Sequence, residues 1–127
     1  MHELALAEAI VSALVSEVAK GQRVNKVVVL LGELQNLDRE AMEQYLEAGL
    51  KEANLNVRME IKQEEASFRC RRCGASWRLS EARISPEERE AIHYLPEAVY
   101  AYVRCPSCAS HDYEVVSGRG ARVLLEE

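Results

Sequence analysis

Cys70-Arg71-Arg72-Cys73-Gly74, then 31 residues, then Cys105-Pro106-Ser107-Cys108-Ala109: this paired pattern decides how the 127-residue chain divides. A Cys-x-x-Cys turn sets two sulfurs on one side of a tight loop, where backbone amides can point at them. Two such knuckles facing each other make a tetrahedral set of four sulfurs. Gly74 supplies the permissive backbone needed just past the first knuckle, and Ala109 stands at the matching place after the second. Four cysteines so spaced read as metal ligands rather than disulfides. Structural zinc is the leading identity, with rubredoxin-like iron and redox thiols left as alternatives. A thioredoxin-like pair would need one such motif near a βαβ unit, not two.

Outward from the knuckles, Ser85-Pro86-Glu87-Glu88 is a capping box with proline at the first helical position, so a short helix runs to about Ile92. His93 ends it, where an imidazole is favourably placed. Val99, Ala101 and Val103 alternate with Tyr100, Tyr102 and Arg104, which predicts a strand entering the second knuckle. On the amino-terminal side, Leu4, Ala7, Val11, Leu14, Val15 and Val18 fall at helical spacing, with Gly21 as the stop. Val27-Val28-Val29-Leu30-Leu31 reads as a buried strand, and Gly32 to Leu37 turns the chain. Asp38 is placed as an N-cap for a second helix carrying Met42, Tyr45, Leu46, Gly49, Leu50 and Ala53 on one stripe, ended at Asn54. Leu55, Val57, Met59 and Ile61 alternate with polar residues as a half-buried strand.

Two strands make a thin sheet, and Arg122-Val123-Leu124-Leu125 is the segment able to supply a third. The expected class is therefore α+β: a small sheet of about three strands with two helices, plus an inserted zinc-ribbon-like lobe built on the four cysteines. Residues 1–65 and 119–127 would form the first domain and 66–118 the second, joined at Gly118-Arg119-Gly120.

Charge follows the same division. The chain carries −5 overall, while 66–83 holds Arg69, Arg71, Arg72, Arg78 and Arg83 against Glu81. Those arginines suit compensation of a thiolate centre, and an acidic chain is a poor match for a nucleic-acid backbone. No apolar run is long enough to span a bilayer, and no secretory signal is visible. A cytoplasmic protein is expected.

The first three residues, Met1-His2-Glu3, offer a second metal site. A retained Met1 amine, the His2 amide nitrogen and the His2 imidazole can chelate one ion in adjacent rings, and nitrogen ligands in a square plane suit Ni(II) or Cu(II). Glu3 or a remote residue such as His93 could complete the set. Asp38 could also approach it, although N-capping accounts for Asp38. His111 is expected at the surface or near the zinc ligands.

Met-His-Glu before an amphipathic helix, Leu31-Gly-Glu-Leu34 after a valine-rich strand, the two knuckles, and a late Gly-Arg-Gly with a final strand together resemble the HypA/HybF family. The likeness runs over essentially the whole chain, and the 31-residue spacing holding His93 matches the longer, archaeal-type version. These proteins are nickel metallochaperones for [NiFe] hydrogenases. The resemblance implies nickel at Met1 and His2, with Glu3 beside them, and zinc on Cys70, Cys73, Cys105 and Cys108. It further implies a HypB-type nickel GTPase as partner and the [NiFe] hydrogenase large subunit as recipient, with urease served in some organisms.

The implied protein is a carrier and not an enzyme: no nucleophilic triad, phosphate loop or paired buried carboxylates stands out. Its affinity for nickel should fall as pH drops below about 6.5, the reference imidazole value, because amine and imidazole bind deprotonated. Two rivals remain, a zinc-ribbon adaptor for protein or nucleic acid and a rubredoxin-like electron carrier. An exposed sheet edge or a swapped lobe would allow a homodimer.

Overall fold

A computed structural model describes residues 2–35 and 37–127. Met1, the first of the expected nickel ligands, lies outside the described residues. The fold is α+β and divides into two compact units. One comprises 1–30, 37–62 and 122–127; the other comprises 31–36 and 63–121.

The first unit holds helix α1 (Glu3–Ala19), helix α2 (Arg39–Glu52) and most of strand β1 (Lys26–Gly32), strand β2 (Arg58–Glu64) and the last strand of the chain, β6 (Ala121–Glu126), whose ends at 31–32, 63–64 and 121 fall in the second unit. The strands form one sheet in the order β2-β1-β6, so the carboxy-terminal segment supplies the third strand beside the central one. Central placement explains why Val27, Val28 and Val29 are all buried, whereas β2 buries only Ile61 fully. Lys26 sits in the middle strand and reaches carboxylates on both neighbours, Glu60 at 2.8 Å and Glu126 at 3.8 Å.

Helix α2 begins and ends where local chemistry demands. The Asp38 carboxylate accepts the Ala41 amide at 3.2 Å, and Asn54 closes α2 in the left-handed region at φ 58°. Met42, Leu46 and Leu50 are buried from α2, while Tyr45 is exposed. On α1 the buried stripe is Glu3, Ala7, Ile10 and Leu14. The expected face is rotated: Leu4, Val15 and Val18 are exposed. A helix with apolar residues on most of its circumference does not define its own inner face, and α2 selects it. At Gly49 an added Cβ would stand 2.9 Å from Val11 Cγ2, so the two helices cross there at close range.

The second unit is a three-stranded sheet in the order β4-β3-β5, from Ser67–Cys70 (β3), Ser76–Arg78 (β4) and Tyr113–Ser117 (β5), with both pairings antiparallel. Helix α3 (Pro86–Tyr94), a 3₁₀ turn at Pro96–Ala98 and the short α4 (Val99–Tyr102) stand between the knuckles. The Ser85 hydroxyl accepts the Glu88 amide at 3.1 Å and the Glu88 carboxylate accepts the Ser85 amide at 2.8 Å, so the capping box forms as its sequence indicates.

The strand expected over Val99–Val103 is instead a helical turn at Val99–Tyr102, with only Val103 extended as its C-cap. Val99 and Val103 are buried as an i, i+4 pair, Ala101 is exposed, and the Tyr113 hydroxyl donates to the carbonyls of Val99 and Val103 at 2.8 and 3.0 Å. A residue distant in sequence thus satisfies a helical turn that the period-two pattern obscures. Tyr113 packs edge-on against Phe68 and Trp77 and stacks on Tyr100, with centroids 5.2–5.4 Å apart.

Residues 31–36 belong to this unit through specific bonds. Leu34 is buried in its core with Phe68, Trp77 and Tyr113. The Glu33 and Leu34 amides donate to the carbonyls of Glu64 and Gly118, at 2.8 and 2.9 Å, and the Glu33 carboxylate accepts the Ala66 amide at 2.9 Å. Gly118, at φ 86°, lets Ala66 approach so closely that a Cβ there would fall 2.4 Å from Ala66 Cα.

Candidate metal centre

The two knuckles have matching backbone geometry. The Gly74 amide donates to the Cys70 carbonyl and the Ala109 amide to the Cys105 carbonyl, at 3.1 and 2.8 Å. Gly74 and Ala109 both take the left-handed conformation, φ 77° and 61°. Each turn aims amides at its first sulfur: Arg72 and Cys73 donate to Cys70 Sγ at 3.4 and 3.5 Å, and Ser107 to Cys105 Sγ at 3.4 Å. All four sulfurs lie within 4.8 Å of one another.

Their spacing fits a metal. A Zn–S bond of about 2.3 Å implies tetrahedral S···S edges of about 3.8 Å. Cys70 to Cys108 measures 3.6 Å and Cys73 to Cys105 measures 3.5 Å. Titration behaviour points the same way. The Cys73 amide, aided by that of Arg72, holds the Cys70 thiol down to about 7. Burial raises Cys105, yet the Cys108 and Ser107 amides outweigh it and leave that thiol lowered. Cys73 and Cys108 each receive an amide that favours the thiolate, from Ala75 and Ser110, but the neighbouring sulfurs prevail; Cys108 is pushed up to about 12. Two of the thiols are shifted down and two up, as expected where four sulfurs compete to ionise at this range. A dication is the partner that lets all four ionise together. Two buried cysteines and two exposed ones also give a centre anchored in the core and open on one side.

Three of the five arginines of the basic stretch are engaged elsewhere. Arg69 pairs with Glu114, and Arg71 donates to the Asp112 carboxylate at 3.2 Å and the Tyr113 carbonyl at 2.9 Å. Arg78 pairs with Glu65 and Glu81. Arg69, Arg71 and Arg78 therefore serve cross-strand and local ion pairing, which leaves the exposed Arg72, within the first knuckle, to offset the charge of the thiolates. His111 is exposed, with Nδ1 3.0 Å from the Tyr100 carbonyl.

The other residues singled out from sequence fall as follows. His2 is exposed at the N-cap of α1; its side chain makes no capping bond, and its carbonyl accepts the Leu6 amide at 3.0 Å. Glu3 is only 7% exposed, and its carboxylate accepts the Asp38 amide at 3.0 Å. The start of α1 is thus tied to the start of α2. His93 lies in the last turn of α3, in the other unit, half-buried, with Nε2 buried and without a partner among the described residues.

Two contributors are not evident from sequence. Gly32 to Leu37 reads as a turn, and the role of Glu33 and Leu34 in the second unit depends on pairings with Glu64, Ala66 and Gly118 that no local pattern carries. Ala109 stands where the first knuckle has glycine; the equivalence of the two knuckles is the signal that places it in left-handed backbone.

Fold and site together define a small α+β protein whose second unit is organised by a four-thiolate metal centre. A family model described as "Hydrogenase/urease nickel incorporation, metallochaperone, hypA" matches residues 1–125. The chain is 44% identical over 131 residues to the hydrogenase maturation factor HypA of Pyrococcus horikoshii, covering 97% of this chain and 92% of that one. It is 43% identical over 138 residues to the Thermococcus gammatolerans HypA, covering 100% and 97%. Among solved structures, the Helicobacter pylori nickel metallochaperone HypA superposes with a TM-score of 0.61 at 22% identity, covering 99% of this chain and 97% of that one, a likeness of fold. The chain belongs to the HypA family of nickel-incorporation metallochaperones.

Proposed function

We propose that this chain carries Ni(II) at its amino terminus, on the Met1 amine, the His2 amide nitrogen and the His2 imidazole, with Glu3 beside them and His93 as a further ligand. Zn(II) on Cys70, Cys73, Cys105 and Cys108 holds the second unit folded. The carrier passes nickel to a HypB-type nickel GTPase and on to the [NiFe] hydrogenase large subunit, and it performs no catalysis. On this reading 1–65 with 119–127 is the nickel-binding domain and 66–118 the zinc-binding domain, with the segment 31–36 packed into the second unit despite its place in the sequence.

The observation that carries the nickel assignment is the exposed His2 side chain at the N-cap, left out of any capping bond. An α-helix makes no intrahelical use of the N–H groups in its first turn, so the His2 amide is available to a metal. A cation there meets the positive end of the helix dipole. That opposition, eased by the buried Glu3 carboxylate, tempers affinity, and a carrier must release its cargo. For His93, the support is its buried, unpartnered Nε2.

The test is calorimetric titration of Ni(II) into zinc-loaded protein bearing an untagged Met1, beside His2→Ala and His93→Ala. Micromolar or tighter one-to-one binding, lost in His2→Ala, is expected; His93→Ala should retain binding with reduced affinity. Equal binding in wild type and His2→Ala, or none in either, refutes the amino-terminal site.

A further inference from the structure

Away from the cysteines, the second unit presents a groove of about 720 Å³ along α3, the Pro96–Ala98 turn and α4. Its lining combines the small side chains of Ala91 and Ala98 with the larger ones of Tyr94, Leu95 and Tyr102. Those three large residues are 83%, 57% and 40% exposed, an unusual concentration of apolar surface for so small a unit. Local structure holds them there. Ile92 and Val99 point into the core, so the opposite faces of α3 and α4 must look outward. Leu95 breaks the helix in an extended conformation, φ −135° and ψ 96°. Bonds from its own amide to Ala91 and from the Ala98 amide back to it, 2.8 and 2.9 Å, fix it in place.

The charge of the groove selects its occupant. Glu87 and Glu90 are the charged residues lining it, and neither has an ion-pair partner among the described residues. They lie one helical turn apart on the same face of α3. No lysine or arginine lines the groove. A second copy of this chain docked face to face would set these carboxylates against each other. A complementary occupant buries one or two apolar side chains between Tyr94 and Tyr102 and presents basic residues to Glu87 and Glu90.

We propose that this groove is a docking site for a cationic amphipathic helix of a protein partner, engaged in the helix-in-groove mode. The volume of this shallow, open groove lies within the range typical of ligand clefts. The lining includes no zinc cysteine, neither amino-terminal residue and not His93; because His93 adjoins Tyr94, the peptide titrations are made without nickel, so that failure of this proposal and failure of the nickel reading remain distinguishable.

The test uses a fluorescein-labelled Leu/Lys amphipathic peptide of about 14 residues and a counterpart with glutamate for lysine, both titrated into the full zinc-loaded chain by anisotropy. Two variants accompany the wild type, Tyr94→Ala/Leu95→Ser and Glu87→Lys/Glu90→Lys; Trp77 emission and zinc content verify that each is folded. The Leu/Lys peptide should bind wild type in the micromolar range, and each double variant should weaken it by about tenfold or more. The charge-reversed variant should acquire affinity for the glutamate peptide, an exchange that general attraction to an acidic protein does not produce. Absent binding, or equal binding to all three proteins, overturns the proposal. Self-association of wild type that Tyr94→Ala/Leu95→Ser abolishes also overturns it, in favour of a second copy.

Discussion

Replacing Tyr113 by phenylalanine isolates one interaction that shapes the second unit. The ring stays, with its packing on Phe68, Trp77 and Tyr100, and only the hydroxyl goes. That hydroxyl donates to two carbonyls, Val99 at 2.8 Å and Val103 at 3.0 Å, and burial raises its pKa further above the usual phenol value, so it stays a donor. The Val99 carbonyl retains the Val103 amide at 2.9 Å, whereas the Val103 carbonyl loses its side-chain donor in a buried setting. One net hydrogen bond and one poorly satisfied acceptor together cost about 1–3 kcal/mol. Trp77 is the single tryptophan, 3% exposed within this unit, so its emission reports on the unit alone. Urea unfolding at fixed free zinc, needed because bound metal adds to apparent stability, should show a lowered midpoint with unchanged slope. A loss below about 0.5 kcal/mol, the size of an ordinary surface substitution, would refute the hydrogen-bond account of the Val99–Tyr102 helix. A changed zinc stoichiometry would refute the premise that Tyr113 acts through that helix and not through the metal.

Ala109→Gly should stabilise the second unit by a few tenths to about 1 kcal/mol, since left-handed backbone strain of about 1–2 kcal/mol is relieved and offset by glycine's greater freedom when unfolded; the same Trp77 unfolding curve measures it. Gly118→Ala should destabilise by more than about 2 kcal/mol, because the new Cβ would fall 2.4 Å from Ala66 Cα and backbone must shift. Ser85→Ala removes the capping box of α3 and should cost about 1 kcal/mol, again read from the urea midpoint. Stripping zinc with a strong chelator should shift Trp77 emission to the red, as a thiolate site of this kind contributes about 10–16 kcal/mol, while far-ultraviolet circular dichroism retains the signal of α1 and α2.

What the chain alone makes legible is chemistry confined to a few neighbouring residues. The Asp38 cap, the Ser85/Glu88 box, the stop at Asn54 and the turn of each knuckle depend on contacts spanning five residues or fewer, and each forms. Misreadings arise where a distant residue decides between local options. Val99–Val103 satisfies both a period of two and an i, i+4 spacing, and Tyr113 settles the choice. The inner face of α1 is chosen by α2 from a helix able to bury several. Leu34 looks like a turn residue until Phe68 and Tyr113 are brought to it.

The two metal sites, one fitted by geometry and one proposed, place opposite demands on their ligands, and the chain's local structures answer each in kind. At the cysteines, amides already aimed at Cys70 and Cys105 lower those thiols before any ion arrives, and core burial fixes both residues. Such preorganisation favours a resident ion of tetrahedral preference, which zinc satisfies and square-planar nickel does not. At the amino terminus the His2 side chain is exposed and bonded to nothing that caps the helix, and the dipole of α1 opposes a cation. Only the Glu3 carboxylate nearby is buried and tied down. On the proposed assignment, a site so built would trade affinity for exchange. Cobalt(II) substituted for zinc should then show intense tetrahedral thiolate bands that survive His2→Ala. Nickel should produce the planar absorption of nitrogen ligation, and that absorption should vanish in His2→Ala. Nickel that instead displaces zinc, with thiolate charge-transfer bands persisting in His2→Ala, would mean the cysteines are the cargo site and would reverse the assignment of the two metals.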